Sequence, residues 1–208
     1  VVLTYTSAGN GEVRANKLNN EEAEQGLTVT EEVRANNGNA AMGAMPIANP
    51  GYKFDRWTND RTSMVYKATT GTDVTADSLD TNKATANAWD GKLWHPVTFT
   101  AHFKPIDYTI HFEAGYEGTA SHPVINKMRD RTYTYGTNFL VPRAGDRSTI
   151  YREGYVFDGW DTDEETSRWL TAGTTLDGST NALRYLLANG TSNGVITLTA
   201  RWKAADAV

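Results

Sequence analysis

The residues of this chain whose types could do chemistry are four histidines, two acidic stretches and six tryptophans. His95, His102, His111 and His122 form no tight metal-ligand spacing such as His-x-x-x-His. His102 and His111 flank the middle of the chain on expected strands, where they could approach each other; exposed strand residues are the expectation, with no metal. An acidic cluster runs from Asp73 to Asp80, and Asp161-Thr162-Asp163-Glu164-Glu165 has a superficial look of calcium ligation. The second run lacks the alternating ligands and turn glycine of a calcium loop, so both are expected as solvated loops. Carboxylate pairs for glycoside hydrolysis are set by the fold and cannot be read from spacing. The sequence holds no Gly-x-Ser-x-Gly elbow and no Gly-rich phosphate loop. With zero cysteines, thiolate zinc sites, cysteine nucleophiles and disulfides are excluded as well. The reading is therefore of a chain that is not an enzyme and carries no cofactor.

Binding is the chemistry left. Trp89, Trp94 and Trp169 stand outside the repeated pattern described below, and aromatic faces on loops can stack on sugar rings or proteins. They are the possible ligand-binding residues, with a host glycan or protein as partner; the alternative is that they close the edge of a small core. A Lys–Asn amide crosslink beside a buried acid, as in pilin-like modules, is a further reading, because both residue types are abundant.

Composition limits the elements that must position these residues. The chain has 208 residues, is too apolar for disorder, and is rich in Gly, Thr, Asn, Tyr and Trp without long Leu/Glu/Lys periodic runs. That favours strands and turns. A net charge of -5 removes the broad attraction to phosphate on which nucleic-acid and anionic-membrane binding depend, so neither partner is expected. No apolar run reaches the roughly 20 residues of a membrane span. The chain opens on Val1, and it is expected to be a piece of a longer precursor whose export and anchoring signals lie elsewhere.

Internal repetition organises the sequence. Pro50-Gly51-Tyr52-Lys53-Phe54-Asp55-Arg56-Trp57 returns as Glu153-Gly154-Tyr155-Val156-Phe157-Asp158-Gly159-Trp160, and Phe99-Thr100-Ala101-His102-Phe103-Lys104 returns as Leu198-Thr199-Ala200-Arg201-Trp202-Lys203. A looser match links Leu3 to Gly9 with Tyr108 to Gly115. The boundary falls at Lys104-Pro105-Ile106-Asp107, giving modules 1–105 and 106–208 joined end to end with restricted motion. Period-2 alternation marks strands at Tyr108, Ile110 and Phe112 and at Ile196 to Trp202. A helix is expected over 181–188, with a weaker counterpart over 76–89. In the Gly-Tyr-x-Phe-x-x-Trp signature, glycine should supply a backbone conformation closed to other residues. Tyr and Phe share a sheet face, and Trp joins them only if a bulge intervenes, expected near Arg56 and Gly159. All six of these aromatics are expected in the core.

The blocks Tyr135-Gly136-Thr137, Gly154 to Trp160 and Leu198 to Trp202 resemble, in order and content, the internalin-B B-repeat, also called the Listeria/Bacteroides repeat. The first module, through Ala48 to Phe54 and Phe99 to Phe103, is similar to a divergent form. The resemblance implies a mostly β (α+β) chain of two tandem β-grasp-like modules, each a small sheet with one short helix. It also implies a stalk or spacer role in a bacterial cell-surface protein, extracellular and wall-anchored through other regions, acting as a monomer within a longer multi-repeat chain. Insertions at 61–93, 117–131 and 162–194 depart from the short repeat and are where adhesion, the alternative function, would reside.

Overall fold

The structure is a computed structural model that describes residues 1–16, 23–34, 40–69, 77–162, 169–170, 173, 175–176 and 194–206. The protein is mostly β and divides into two compact units, Val1–Pro105 and Ile106–Val208.

In the first unit the strands are β1 (Val2–Ser7), β2 (Gly11–Ala15), β3 (Gln25–Gly26), β4 (Thr28–Glu32), β5 (Ala44–Ala48), β6 (Tyr52–Asn59), β7 (Tyr66–Lys67) and β8 (Val97–Pro105), with helix α1 (Thr81–Ala88) before the last. The main sheet has the order β4-β1-β8-β6-β7, in which β1 and β8 run parallel and every other pairing is antiparallel. Alternation does the work of burial here: Leu3 and Tyr5 of β1 and Val97, Phe99 and Ala101 of β8 all point into one core. Tyr5 lies opposite Phe99 in the register, and their rings stack with centroids 5.4 Å apart. A second layer, β3-β2-β5, was not expected from sequence; it adds Val13 and Ala44 to the same core. Burying each large side chain contributes roughly 2 kcal/mol of transfer free energy.

Helix α1 is shorter than the 76–89 expected. Leu79 exchanges backbone hydrogen bonds with Ala44, which holds the chain extended up to the Asp80 cap. The Asp80 carboxylate then accepts from the Lys83 N–H at 3.0 Å, and Ala84, Asn87 and Ala88 form the buried stripe. Asn87 is fully buried, and its amide is completely used. Nδ2 donates to Tyr66 Oη and the Lys83 carbonyl, both at 2.8 Å, while Oδ1 accepts from Asn59 at 3.1 Å and Thr62 at 2.5 Å.

The second unit comprises β9 (Asp107–Glu113), β10 (Ile125–Asn126), β11 (Arg131–Thr134), β12 (Phe139–Leu140), β13 (Ile150–Tyr151), β14 (Tyr155–Asp161), β15 (Trp169–Leu170), β16 (Thr175–Leu176) and β17 (Val195–Ala204). Its main sheet, β11-β9-β17-β14-β15, repeats the first unit's order, again with the first and last long strands, β9 and β17, parallel at the centre. Two short ladders, β10-β13 and β12-β16, stand beside it. Tyr108, Ile110 and Phe112 share the buried face as the alternation predicts; Ile196 and Leu198 of β17 lie opposite Ile110 and Phe112, and Ala200 is buried in the same core. The main sheet of each unit is five-stranded, with the insertions contributing the two-residue edge strands β7 and β15. The helix expected over 181–188 lies outside the described residues.

The bulge is present in both units. Register slips by one residue between Phe54 and Arg56 and again between Phe157 and Trp160. The slip turns an odd spacing into an even one, so Trp57 and Trp160 swing inward and become 1% and 0% exposed. Each indole N–H finds a carbonyl, Trp57 that of Asp77 at 3.0 Å and Trp160 that of Pro142 at 2.8 Å. Gly51 and Gly154 hold φ of +85° and +76°, the left-handed conformation expected of them. Not all six signature aromatics are core, however. Phe54 is buried, Tyr52 and Phe157 are half-buried, and Tyr155 is 38% exposed beneath the Arg152 guanidinium. Tyr155 is the first residue of its strand, where the sheet face has run past the core.

Candidate functional site

Trp89 and Trp94 are brought together. Trp89 ends α1, and a reverse turn returns the chain so that the two form an isolated antiparallel bridge with ring centroids 5.4 Å apart and planes inclined at 47°. Asp90 builds that turn. Its Oδ1 accepts from the backbone N–H groups of Lys92 and Leu93, both at 2.8 Å, and its Oδ2 lies 2.6 Å from His95 Nε2. The His95 contact, followed by the two backbone donors, holds the Asp90 carboxyl well below the usual aspartate range. Both indoles are half-buried, Trp94 packs against the core, and Leu93 beside them is 61% exposed. The arrangement is an apolar ledge able to stack on a flat ligand. Trp169 belongs to the other unit, on β15, where its backbone pairs with Asp161; its side chain lies outside the described residues.

The other sequence candidates have local partners. His102 Nε2 lies 2.8 Å from Thr58 Oγ1, and burial, with Arg56 nearby, pushes its imidazole below the ordinary histidine value against a smaller opposing pull from Asp55. His111 pairs with Asp130 at 2.7 Å. Asp77 accepts from the N–H and hydroxyl of Thr69, and Asp80 caps α1. Residues 73–76 and 163–165 of the acidic runs lie outside the described residues. Among the described residues no group of three or more His, Asp or Glu is placed to hold a metal ion. The described lysines are likewise solvent-facing apart from Lys83, whose ammonium is bound to the Ser78 carbonyl at 2.9 Å and to Asp80 at 3.1 Å.

Sequence reasoning missed a cleft of about 350 Å³ in the second unit, between the 117–131 insertion and the segment around β13. Tyr116 forms its floor, its hydroxyl donating to the Tyr151 carbonyl at 2.5 Å and accepting from the Ile125 N–H at 3.1 Å. Arg152 lies 5.3 Å from the Tyr116 ring centroid and 3.7 Å from that of Tyr155, and Arg147 lies 4.6 Å from that of Tyr151. The one available signal was a difference between the two copies. Before the shared Gly-Tyr, the second has Arg152-Glu153 where the first has Asn49-Pro50. Nothing in the spacing links those residues to Tyr116.

Residues 108–182, a little over a third of the chain and all within the second unit, match the family model of the Listeria-Bacteroides repeat domain. That family occurs in bacterial surface proteins and is typically non-catalytic. No curated protein and no solved structure matches the chain. No helix of the described residues is long and apolar enough to cross a membrane.

Proposed function

We propose that this chain is a non-enzymatic, extracellular spacer segment of a bacterial surface protein, in which two tandem β-grasp-like repeats carry tension and hold another part of the protein away from the cell. The observation that carries the reading is the place of the terminal strands. In each unit the first and last long strands are parallel neighbours, Leu3 to Ser7 against Val97 to Ala101, and Thr109 to Glu113 against Val195 to Thr199. A pull on the two ends of a unit slides such strands past each other along their length. The hydrogen bonds between them are then loaded together instead of one after another, which is the arrangement that resists force best.

Three further correspondences support reading the first unit as a divergent copy of the repeat matched in the second. The bulge occurs at the same place. An aromatic trio surrounds it, Phe54, Trp57 and Phe103 in one unit and Phe157, Trp160 and Trp202 in the other. The bulge aspartate pairs with the last-strand lysine in both, Asp55 with Lys104 at 2.8 Å and Asp158 with Lys203 at 2.7 Å. Helix α1 sits between β6 and β8, inside the 76–89 stretch where the first module's helix was expected.

Stretching the whole chain by its termini in a single-molecule instrument tests the proposal. The expected trace has two cooperative unfolding events, each releasing roughly 30 nm of chain for about 100 residues at ~0.33 nm per residue. Gradual yielding without force peaks would sink the spacer reading. The second reading, adhesion to a host glycan or protein, is favoured by the half-buried Trp89–Trp94 ledge beside the exposed Leu93; its third tryptophan, Trp169, belongs to the other unit. If Trp94→Ala leaves binding to host-cell glycans and surface proteins unchanged, the ledge is part of the fold only.

A further inference from the structure

We propose that the Tyr116–Arg152 cleft of the second unit binds a carboxylate-bearing saccharide, with the Arg147 and Arg152 guanidinium groups taking the carboxylate. The inference stands apart from the spacer reading and from the tryptophan ledge, which lies in the other unit. Arg152 is half-buried between the rings of Tyr116 and Tyr155, and Arg147 is stacked on Tyr151. Neither guanidinium has a hydrogen-bond or carboxylate partner among the described residues; Glu153, next in sequence to Arg152, lies 3.7 Å from His122 instead. Ring stacking fixes the plane of a guanidinium and leaves its N–H edge to act, and that edge matches a carboxylate in two parallel hydrogen bonds.

The remainder of the wall chooses the body that carries the carboxylate. Glu117, Glu153, Thr119 and Ser121 line the same cleft. Their oxygens accept hydrogen bonds from hydroxyl groups, while the two glutamates repel any ligand with several negative charges. A polyphosphate or nucleic acid is disfavoured on that ground; a single carboxylate on a polyhydroxylated ring fits. The volume of about 350 Å³ suits one or two sugar rings. Uronic acids and sialic acids both present this chemistry.

The test is a titration of the full 208-residue chain, followed by the Nε–H resonances of its arginines, with glucuronic acid, N-acetylneuraminic acid, glucose and acetate. The expected result is saturable movement of the Arg147 and Arg152 signals with at least one sugar acid. Glucose and acetate should each bind at least about tenfold more weakly, since each lacks one half of the recognition. Arg147→Ala, at an exposed site, and Arg152→Lys, which keeps the charge but loses the planar fork, should each weaken binding by about tenfold with the melting temperature of the chain unchanged. No saturable shift with either acid, equal affinity for glucose or acetate, or full binding by both folded variants would overturn the proposal. Which acid binds distinguishes a uronate-type from a sialate-type ligand.

Discussion

Gly115 and Gly154 hold left-handed φ of +68° and +76°, yet only Gly154 has space for a methyl group: a Cβ at Gly115 would lie 1.9 Å from the Ala200 carbonyl oxygen, whereas none at Gly154 meets anything within 4 Å. Gly154→Ala should therefore cost only the conformational strain, about 1 kcal/mol, and Gly115→Ala several times more because β17 must move away. Urea denaturation of the two variants measures the difference, and equal losses would contradict the packing described. Asp55 makes a different kind of prediction. Lys104, then Arg56, hold its carboxyl below the ordinary value of 3.8 against a desolvation effect in the other direction. A depressed folded-state value means that the pair's contribution is fully present above about pH 4, and is lost as the pH falls through the folded value. Lys104 is half exposed, so the pair is worth less than about 1 kcal/mol. Asp55→Asn should lower the melting temperature slightly at pH 7, with the gap to the parent chain closing below pH 4.

At the scale of the elements, the helix and the bulges show what could and could not be read in the sequence. The signature's odd spacing between Phe and Trp required a register slip, and that slip is found in both units. The period-2 runs located the central strands because their burial is governed by alternation alone. Tyr155 departed from its expected place because parity gives a face but not how far along the strand the core extends. The β3-β2-β5 layer and the start of α1 were not legible, since both depend on pairings between distant segments, such as Leu79 with Ala44. The same holds for the cleft, whose tyrosine and arginines come from separate parts of the second unit. Asn87 gives the element-scale test. Asn87→Ala leaves Asn59, Thr62 and Tyr66 with unmatched polar atoms at the α1 interface and should cost about 2 to 3 kcal/mol. A loss under about 0.5 kcal/mol in chemical denaturation would show that water replaces the amide there.

For the whole molecule, both units set their first and last long strands side by side and parallel, while the surfaces proposed for recognition lie where the two sequences differ. The ledge of Trp89 and Trp94 and the cleft around Arg152 are both of this kind. The repeated signature that first organised the sequence turns out to serve the fold: its tryptophan fills the core, and its bulge aspartate ties the third long strand to the last. Shear loading of the central parallel pair is the property on which the spacer reading depends, and the direction of pull tests it. The chain has no cysteine, so two introduced ones give unique handles. With handles at Val2 and Lys104, force slides β1 along β8; with handles at Val2 and Pro96, at the same end of the pair, force peels the strands apart bond by bond. The account predicts a markedly higher unfolding force for the first geometry than for the second, and equal forces in the two would contradict it.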